Sequence, residues 1–208
     1  MRRQHCKDKI VSTTKKRGRP RRLDPEKAAK TAMKLFWEQG YETVGIADLT
    51  KAMGINPPSL YSAFGNKAGV LEKAIEVYQK QSSAQFLPAF KAATASDFFH
   101  LLLQVAAKAY SADPKLKGCL VLDGATNTAD TAARKIAKEY RNKVRDQIEK
   151  TLTALNVKGA DIHAEACITA MIGLSGAARH GVPKEKLEKI AEMFSEGLSD
   201  AIGPNGPK

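Results

Sequence analysis

Apolar residues recur every three or four positions along almost the whole chain, and this spacing is the strongest constraint on the fold. From Pro25 to Gly40 they fall at positions 28, 32, 35 and 36, which is one face of a helix. Similar helical patterns cover 45–64 (two short helices with a turn at Gly54), 67–81, 96–110, 129–155, 161–180 and 183–198. Convincing pairs of alternating strands do not appear, so the sequence predicts an all-α fold. The short apolar run 119–126 has the composition of a strand, but it lacks a pairing partner and we interpret it as a short helix.

Length and composition narrow the class of protein. With 208 residues, 43% of them hydrophobic, the chain is long enough for one or two domains with a buried core. The uncharged stretch 166–178 is 13 residues long, whereas a membrane-spanning helix needs ~18 or more, so we expect no membrane association. Three cysteines without a CxxC motif argue against a disulfide framework and favour a cytoplasmic protein.

The positive charge is concentrated at the N-terminus. Ten of the 34 Lys and Arg residues and one of the 22 acidic residues lie in 1–22, which gives this arm +9 of the net charge of +12. The arm is poor in apolar residues and contains Gly18 and Pro20, so we expect it to be disordered. A basic arm on a nearly neutral body points to a polyanionic partner. A solubilising tail remains the alternative.

The segment 45–64 has the pattern of a helix-turn-helix. Gly54 supplies the small residue of the turn, and Leu49, Ile55 and Leu60 are placed to lock the two helices together. Asn56 is suited to cap the second helix, which then begins with proline. The exposed side chains expected on that helix are Pro58, Ser59, Tyr61 and Ser62.

Residues 23–82 resemble the DNA-binding domain of the TetR/AcrR family of transcriptional repressors. The resemblance is carried by the run NPPSLYSAFGNK at 56–67 and by the spacing of Gly40-Tyr41, Asp48-Leu49 and Gly54. It implies that Asn56, Pro57, Pro58 and Ser59 lie against base edges, that Tyr61 and Lys67 contact phosphates, and that Leu60 and Phe64 are core.

The chain departs from the family pattern at two places. Where the family has a threonine that caps the first helix of the motif and touches phosphate, this chain has Val44 and Gly45, with Thr43 as a substitute one residue earlier. Pro58 replaces a glycine, and its apolar ring is suited to pack on a thymine methyl group.

The arm itself carries a second, shorter resemblance. Arg17-Gly18-Arg19-Pro20 resembles the core of an AT-hook, which lies in the narrow minor groove of A·T tracts. Its position just ahead of the first helix is the one from which homeodomain arms reach the minor groove. Plain attraction of Arg17 and Arg19 to phosphate is the alternative.

The family resemblance also implies a helical C-terminal domain that dimerises and often holds an inducer. We therefore expect a basic arm at 1–22, the DNA-binding domain at 23–82 and a regulatory domain at 83–208. Aromatic and apolar residues that are candidates for an inducer pocket, or equally for core, are Phe98, Phe99, Leu102, Tyr110, Cys119, Tyr140 and Met171.

Small residues cluster on the apolar helix 161–180, where they permit close approach of another helix. With the last helix they predict a four-helix homodimer interface, an intrachain packing face being the alternative. The candidate interface residues are Gly173, Gly176, Ala177, Leu187 and Phe194.

Other candidate sites are weaker. His163 and Cys167 are spaced i, i+4, as two metal ligands on a helix would be, but a buried cysteine beside a half-exposed histidine explains the pair more simply. Cys119 would need a cationic neighbour to act as a sensing thiol, and Lys117 is the adjacent candidate.

The motifs of the chain favour one of three classes of function. The sequence contains none of the motifs P-loop, GxGxxG, HExxH or GxSxG, so we do not expect an enzyme, a cofactor or a metal. A repressor released from palindromic operator DNA by a small-molecule inducer fits best. The alternatives are an architectural DNA-binding protein without an inducer, and a thiol- or metal-sensing repressor that uses Cys119 or His163 and Cys167.

Deleting residues 1–22 is expected to weaken DNA binding most at low salt while preserving the preferred sequence. Each phosphate contact that is lost removes ~0.9 from the slope of log affinity against log salt concentration. Salt titrations of the full and truncated proteins, on operators with A·T-rich and G·C-rich flanks, measure this slope. An unchanged slope would mean that the arm does not contact phosphates. A lost sequence preference would mean that the arm, and not the helix-turn-helix, recognises the DNA sequence.

Overall fold

The computed structural model describes residues 23–124 and 127–203, and every regular element in those ranges is helical. This confirms the all-α prediction. The helices are α1 (Pro25–Gln39), α2 (Ile46–Met53), α3 (Pro57–Phe64), α4 (Lys67–Phe86), α5 (Ala95–Ser111), α6 (Thr131–Ala154), α7 (Ala160–Arg179) and α8 (Lys184–Ala201), with a short 3₁₀ turn at Ala89–Lys91. In the described ranges, none of these helices is both long and apolar enough to cross a membrane.

The first four helices enclose the N-terminal part of the core. Asp24 caps α1 by accepting hydrogen bonds from the backbone N–H groups of Glu26 and Lys27, and proline occupies the first helical position. α1 packs along α4, while α2 and α3 cover the end of that pair. Phe36 and Leu49 are completely buried between them. Two helices as short as α2 and α3 depend on this burial, because eight residues cannot sustain a helix alone.

α5 is the centre of the C-terminal half. It packs against α7 and α8, while α6 lies against α7 and also reaches α4. The buried residues of both halves form one continuous cluster. α4 runs without interruption to Phe86, so the expected domain boundary at 82/83 falls inside a helix that both halves share.

The structure corrects the sequence interpretation of 119–126. Residues 120–124 form consecutive turns and not a helix, and 125–126 lie outside the described residues. The backbone N–H groups do not follow a helical pattern: that of Cys119 donates to Ser175 Oγ at 2.7 Å, that of Leu122 to the Cys119 sulfur at 3.5 Å, and that of Gly124 to the Cys119 carbonyl at 3.2 Å. Gly118, at φ +72°, starts the turn in a left-handed conformation.

Smaller differences concern helix ends. α4 extends five residues beyond the expected position 81, and α5 begins one residue earlier than the expected 96, capped by Thr94, whose hydroxyl accepts the Asp97 N–H. α6 begins after Asp130, which caps it. Short polar side chains cap about equally well, so the sequence pattern alone does not choose among neighbouring candidates.

Candidate DNA-binding surface and interdomain junction

α2 and α3 are held as a rigid pair. Gly54 ends α2 in the left-handed conformation, at φ +67°, and lets the Ile55 N–H return to the Thr50 carbonyl at 3.0 Å. Asn56 then caps α3 through a 2.9 Å hydrogen bond from the Ser59 N–H. Leu49 and Leu60 are completely buried, and Ile55 and Phe64 are half-buried against the core. The four residues predicted to form the core of the motif all face inward.

The opposite face of α3 is open to solvent. Asn56, Pro57, Pro58 and Ser62 are exposed, Ser59 is half-buried, and Tyr61 is 48% exposed. The Tyr61 hydroxyl has no hydrogen-bond partner in the part of the chain that the structure describes. Because Pro57 and Pro58 have no N–H and the Ser59 N–H is capped by Asn56, the N-terminal end of α3 presents side chains, which are small enough to suit the major groove.

The start of α2 differs from the sequence expectation. Gly45 itself is the N-cap, and Thr43 does not replace the family's capping threonine. The cap is closed from inside the helix instead, because the Gly45 N–H donates to the Asp48 carboxylate at 2.8 Å. Thr43 is exposed, so its hydroxyl is free of a capping role. Arg17 and Arg19 lie outside the described residues.

Lys67 stands at the first position of α4, and its ammonium group lies 4.2 Å from the centre of the Tyr41 ring. Tyr41 is only 2% exposed, so its ring is held in the core. The Lys67 ammonium group therefore packs on a fixed surface at the junction of the two halves. This placement was not anticipated from the sequence, which assigned Lys67 to phosphate contact alone.

The loop between α1 and α2 is fastened to the segment that precedes α6. The Tyr41 hydroxyl donates to the Asp130 carboxylate at 2.6 Å, and Glu42 accepts hydrogen bonds from the Thr128 hydroxyl and from the Ala129 N–H. The bond from Tyr41 lowers the pKa of Asp130, and the bonds from Thr128 and Ala129 lower that of Glu42. Burial and the neighbouring carboxylates raise the pKa of Tyr41 well above its usual range. We call Tyr41, Glu42, Thr128, Ala129 and Asp130 the junction clasp.

A second connection is made by Arg179, the last residue of α7. Its guanidinium contacts the Asp123 carboxylate at 2.6 Å, the Trp37 carbonyl at 3.1 Å and the Cys119 carbonyl at 3.2 Å. One side chain thus joins α1, α7 and the 117–124 turn. The turn can lie this close to Arg179 because residue 118 is a glycine. A Cβ at this position would lie 2.8 Å from the Arg179 Nε atom, which is too close.

Sequence reasoning missed Arg179, Asp123 and Trp37. A signal was present, because Arg179 is the first charge after the uncharged run 166–178 and Trp37 is the single tryptophan of the chain. What these residues contact could not be read from the sequence, since Trp37 and Arg179 are separated by 142 positions.

The residues predicted for an inducer pocket are packed in the core. Phe98, Phe99, Leu102 and Tyr110 are at most 2% exposed, and Cys119, Tyr140 and Met171 at most 9%. A cleft of about 260 Å³ lies elsewhere, between α1, α4, the end of α5 and the loop that follows. None of the seven predicted residues lines it. A pocket among those seven stays a prediction.

The predicted dimer residues divide into two groups. Gly173 and Phe194 are exposed, Gly176 and Ala177 are half-exposed, and an added Cβ at either glycine would meet nothing within 4 Å. Leu187 is completely buried within the chain, so its assignment to the dimer face is wrong. The last helix packs against α5 and α7; it buries Leu187 and leaves Met193 and Phe194 exposed.

Cys119 and Cys167, the cysteines within the described residues, lie in hydrogen-bonded and apolar surroundings, respectively. Cys167 is completely buried, and burial raises the pKa of its thiol to about 12, while His163 packs on the Phe99 ring at 6.1 Å. In the described ranges no group of three potential ligands is placed to hold a metal. The sulfur of Cys119 accepts a hydrogen bond from the Tyr78 hydroxyl at 3.4 Å beside the Arg179 connection.

The surface of α3 and the junction behind it are those of a helix-turn-helix regulator. Residues 29–74 match the family model described as "Bacterial regulatory proteins, tetR family". The chain is 34% identical over 186 residues to the HTH-type transcriptional repressor BdcR of Escherichia coli K12, with 89% of this chain and 94% of BdcR covered. It is 30% identical to the repressor ComR of the same organism, with 88% and 93% covered.

A solved structure leads to the same class. A cysteine mutant of the TetR family transcriptional regulator CifR, in complex with 26-bp operator DNA, superimposes with a TM-score of 0.74. It is 30% identical, and the match covers 86% of this chain and 98% of CifR. This chain belongs to the TetR family of transcriptional regulators.

Tyr61→Phe is expected to weaken binding to every DNA sequence by roughly 1 kcal/mol, because an exposed hydroxyl placed for a phosphate is lost while the fold stays intact. Leu60→Ala is the contrasting variant: it should lower the free energy of unfolding by ~2–5 kcal/mol, because Leu60 is completely buried. Binding isotherms on operator and random DNA, with melting curves, distinguish them. A changed base preference for Tyr61→Phe would contradict the assignment of the two faces.

Tyr41→Phe is expected to reduce the free energy of unfolding by about 1 kcal/mol near neutral pH, since the hydrogen bond to Asp130 is lost. The folded-state pKa of Asp130 is lowered, so the stabilisation is present above about pH 5 and declines as the pH falls through that lowered pKa. Urea denaturation of both proteins across this range gives the difference. Tyr61→Phe is the control, and a difference that grows toward acid pH would refute the clasp.

Proposed function

We propose that the protein is a sequence-specific transcriptional repressor that binds palindromic operator DNA as a homodimer and is released by a small-molecule inducer. The observation that carries the proposal is the solvent-exposed N-terminal face of α3, fixed from behind by the buried Leu49 and Leu60. BdcR and ComR are named repressors, and CifR was solved on operator DNA.

On this face we assign base contacts to Asn56, Pro57, Pro58 and Ser59. The Asn56 side-chain oxygen is occupied by the Ser59 N–H, which leaves its amide NH₂ to donate to a base edge or phosphate. Tyr61, Ser62 and Lys67 are assigned to phosphates, and the α2 start at Gly45, with Thr43 beside it, approaches the backbone of the DNA.

The dimer is proposed to form through the outward faces of α7 and α8. Gly173, Gly176 and Ala177 leave a shallow surface on α7, and Phe194 stands exposed on α8 with Met193, which is 69% exposed. Small residues permit close helix contact, and two such pairs make a four-helix interface around a two-fold axis.

Inducer release requires that the C-terminal half influence α3. The junction clasp and Arg179 supply the physical connection, because they tie the end of α1 and the α1–α2 loop to α7 and to the start of α6. A ligand that favours a different arrangement of these elements would shift the orientation of the two α3 helices.

Selection of binders from a random duplex library, followed by sequencing, tests the proposal. We expect a palindrome whose half-sites lie one helical turn apart, ~34–36 Å, or a multiple of it. Enrichment of single, unrepeated half-sites would contradict the two-fold arrangement. Absence of any enriched sequence would favour an architectural DNA-binding protein.

Gly176→Leu is expected to convert the dimer to monomer without unfolding it. A Cβ added at Gly176 has no atom of the chain within 4 Å, and the leucine side chain would occupy the space into which the second protomer is proposed to pack. Sedimentation velocity measures the mass, and the matched control is Lys138→Leu on the exposed face of α6. A Gly176→Leu protein that remains dimeric would remove α7 from the interface.

A further inference from the structure

The 260 Å³ cleft at the junction has the chemistry of a ligand site. Trp37 of α1 and Tyr78 of α4 form its aromatic wall, with ring centres 4.9 Å apart and planes at 89°. Two perpendicular rings make a corner in which a planar molecule stacks on the face of one ring and points its edge at the face of the other. The volume lies just below the ~300–1,000 Å³ usual for small-molecule pockets, so the occupant is small.

The polar side chains that line the cleft have hydrogen-bonding capacity left for a ligand. Gln81 and Gln85 are one helical turn apart on α4, and their side-chain amides have no hydrogen-bond partner in the described part of the chain. Asp113 stands on the loop after α5. Its Oδ1 atom accepts the N–H groups of Lys115 and Leu116, at 2.8 and 3.2 Å, which leaves Oδ2 available to a ligand.

The charge of the cleft selects the ligand class. Of the described residues that line the cleft, Asp113 is the one with a charge. None of these residues is a lysine or arginine, although the whole chain carries a net charge of +12. Aromatic faces attract cations, and one carboxylate adds to that preference. An anionic ligand would find no counter-charge here.

The position of the cleft connects it to DNA binding. Trp37 donates its indole N–H to the Lys117 and Gly118 carbonyls, both at 3.1 Å, and its own carbonyl is bound by Arg179. A molecule in the cleft therefore contacts α1 from the DNA-binding half together with α5 and the loop of the C-terminal half. If the two halves can adopt two arrangements, a molecule that binds one arrangement more tightly shifts the equilibrium toward it. The size of the shift is set by the ratio of its two affinities.

We propose that this cleft is a binding site for a small planar organic cation, whose binding lowers operator affinity. The effect on operator DNA rests on the proposed repressor function, whereas binding to the cleft does not.

The probes are three bicyclic molecules of one shape: N-methylquinolinium, quinoline at a pH where it is uncharged, and quinoline carboxylate. Trp37 is the single tryptophan, so its fluorescence in the full-length protein reports occupation of the cleft directly. Calorimetry confirms that the change is saturable binding and not collisional quenching. We expect the cation to bind, with the neutral analogue about fivefold weaker and the anion weaker still.

The test variant is Asp113→Asn, which keeps the Oδ1 acceptor for the loop and removes the charge. It should lower cation affinity about two- to fivefold and leave quinoline affinity unchanged. Glu192→Gln, which removes an exposed carboxylate from α8 outside the cleft, is the matched control. Equal binding of the three probes, or an unaltered cation affinity in Asp113→Asn, would overturn the site.

Operator affinity is then measured with and without N-methylquinolinium, on the sequence selected above. We expect a fall of about 5- to 150-fold, with a reciprocal loss of cation affinity in the presence of operator. Cation binding with unchanged or increased operator affinity would overturn the regulatory role. Failure to select any operator would refute the proposed function itself, and the fluorescence titration of the DNA-free protein would still decide the cleft site.

Discussion

The arrangement of the two halves depends on the guanidinium of Arg179. Its planar group makes three contacts in different directions, to the Asp123 carboxylate and to the carbonyls of Trp37 and Cys119. Lysine has no equivalent rigid fork of donors, so it could not make the same set. The 117–124 turn closes around this side chain, with Ser175 holding both the Cys119 N–H and the Asp123 carboxylate. The end of α1 is thereby fixed to the end of α7.

The proposed DNA-binding surface is held in place by different interactions. α2 and α3 are short, and their orientation comes from burial of Leu49 and Leu60 together with the tight turn at Gly54. Behind them the junction clasp joins the α1–α2 loop to the segment before α6 through charge-assisted hydrogen bonds. The proposed function requires both properties: a recognition helix that keeps its shape, and a connection through which the rest of the molecule can reorient it.

The aromatic residues illustrate where a sequence pattern stops being informative. Phe98, Phe99 and Tyr110 have the spacing of either a core or a pocket wall, and in the structure they are packed in the core. The cleft uses Trp37 and Tyr78 instead, one from each of two helices that meet only in the folded chain. Helical periodicity states which residues face inward; it does not state where packing leaves a gap.

The sequence by itself determined the all-α class, the helix-turn-helix and its inward and outward faces, because these follow from local spacing, caps and glycine turns within a few residues. It also indicated the outward small residues of α7. Only the tertiary structure decided that Leu187 points into the chain, that 120–124 forms turns, and that Arg179, Asp123 and Trp37 meet. The physical reason is that the backbone N–H and carbonyl of Cys119 bond to Ser175 and Arg179, side chains of the distant helix α7. Partners separated by 56 to 142 positions leave no periodic trace in the sequence.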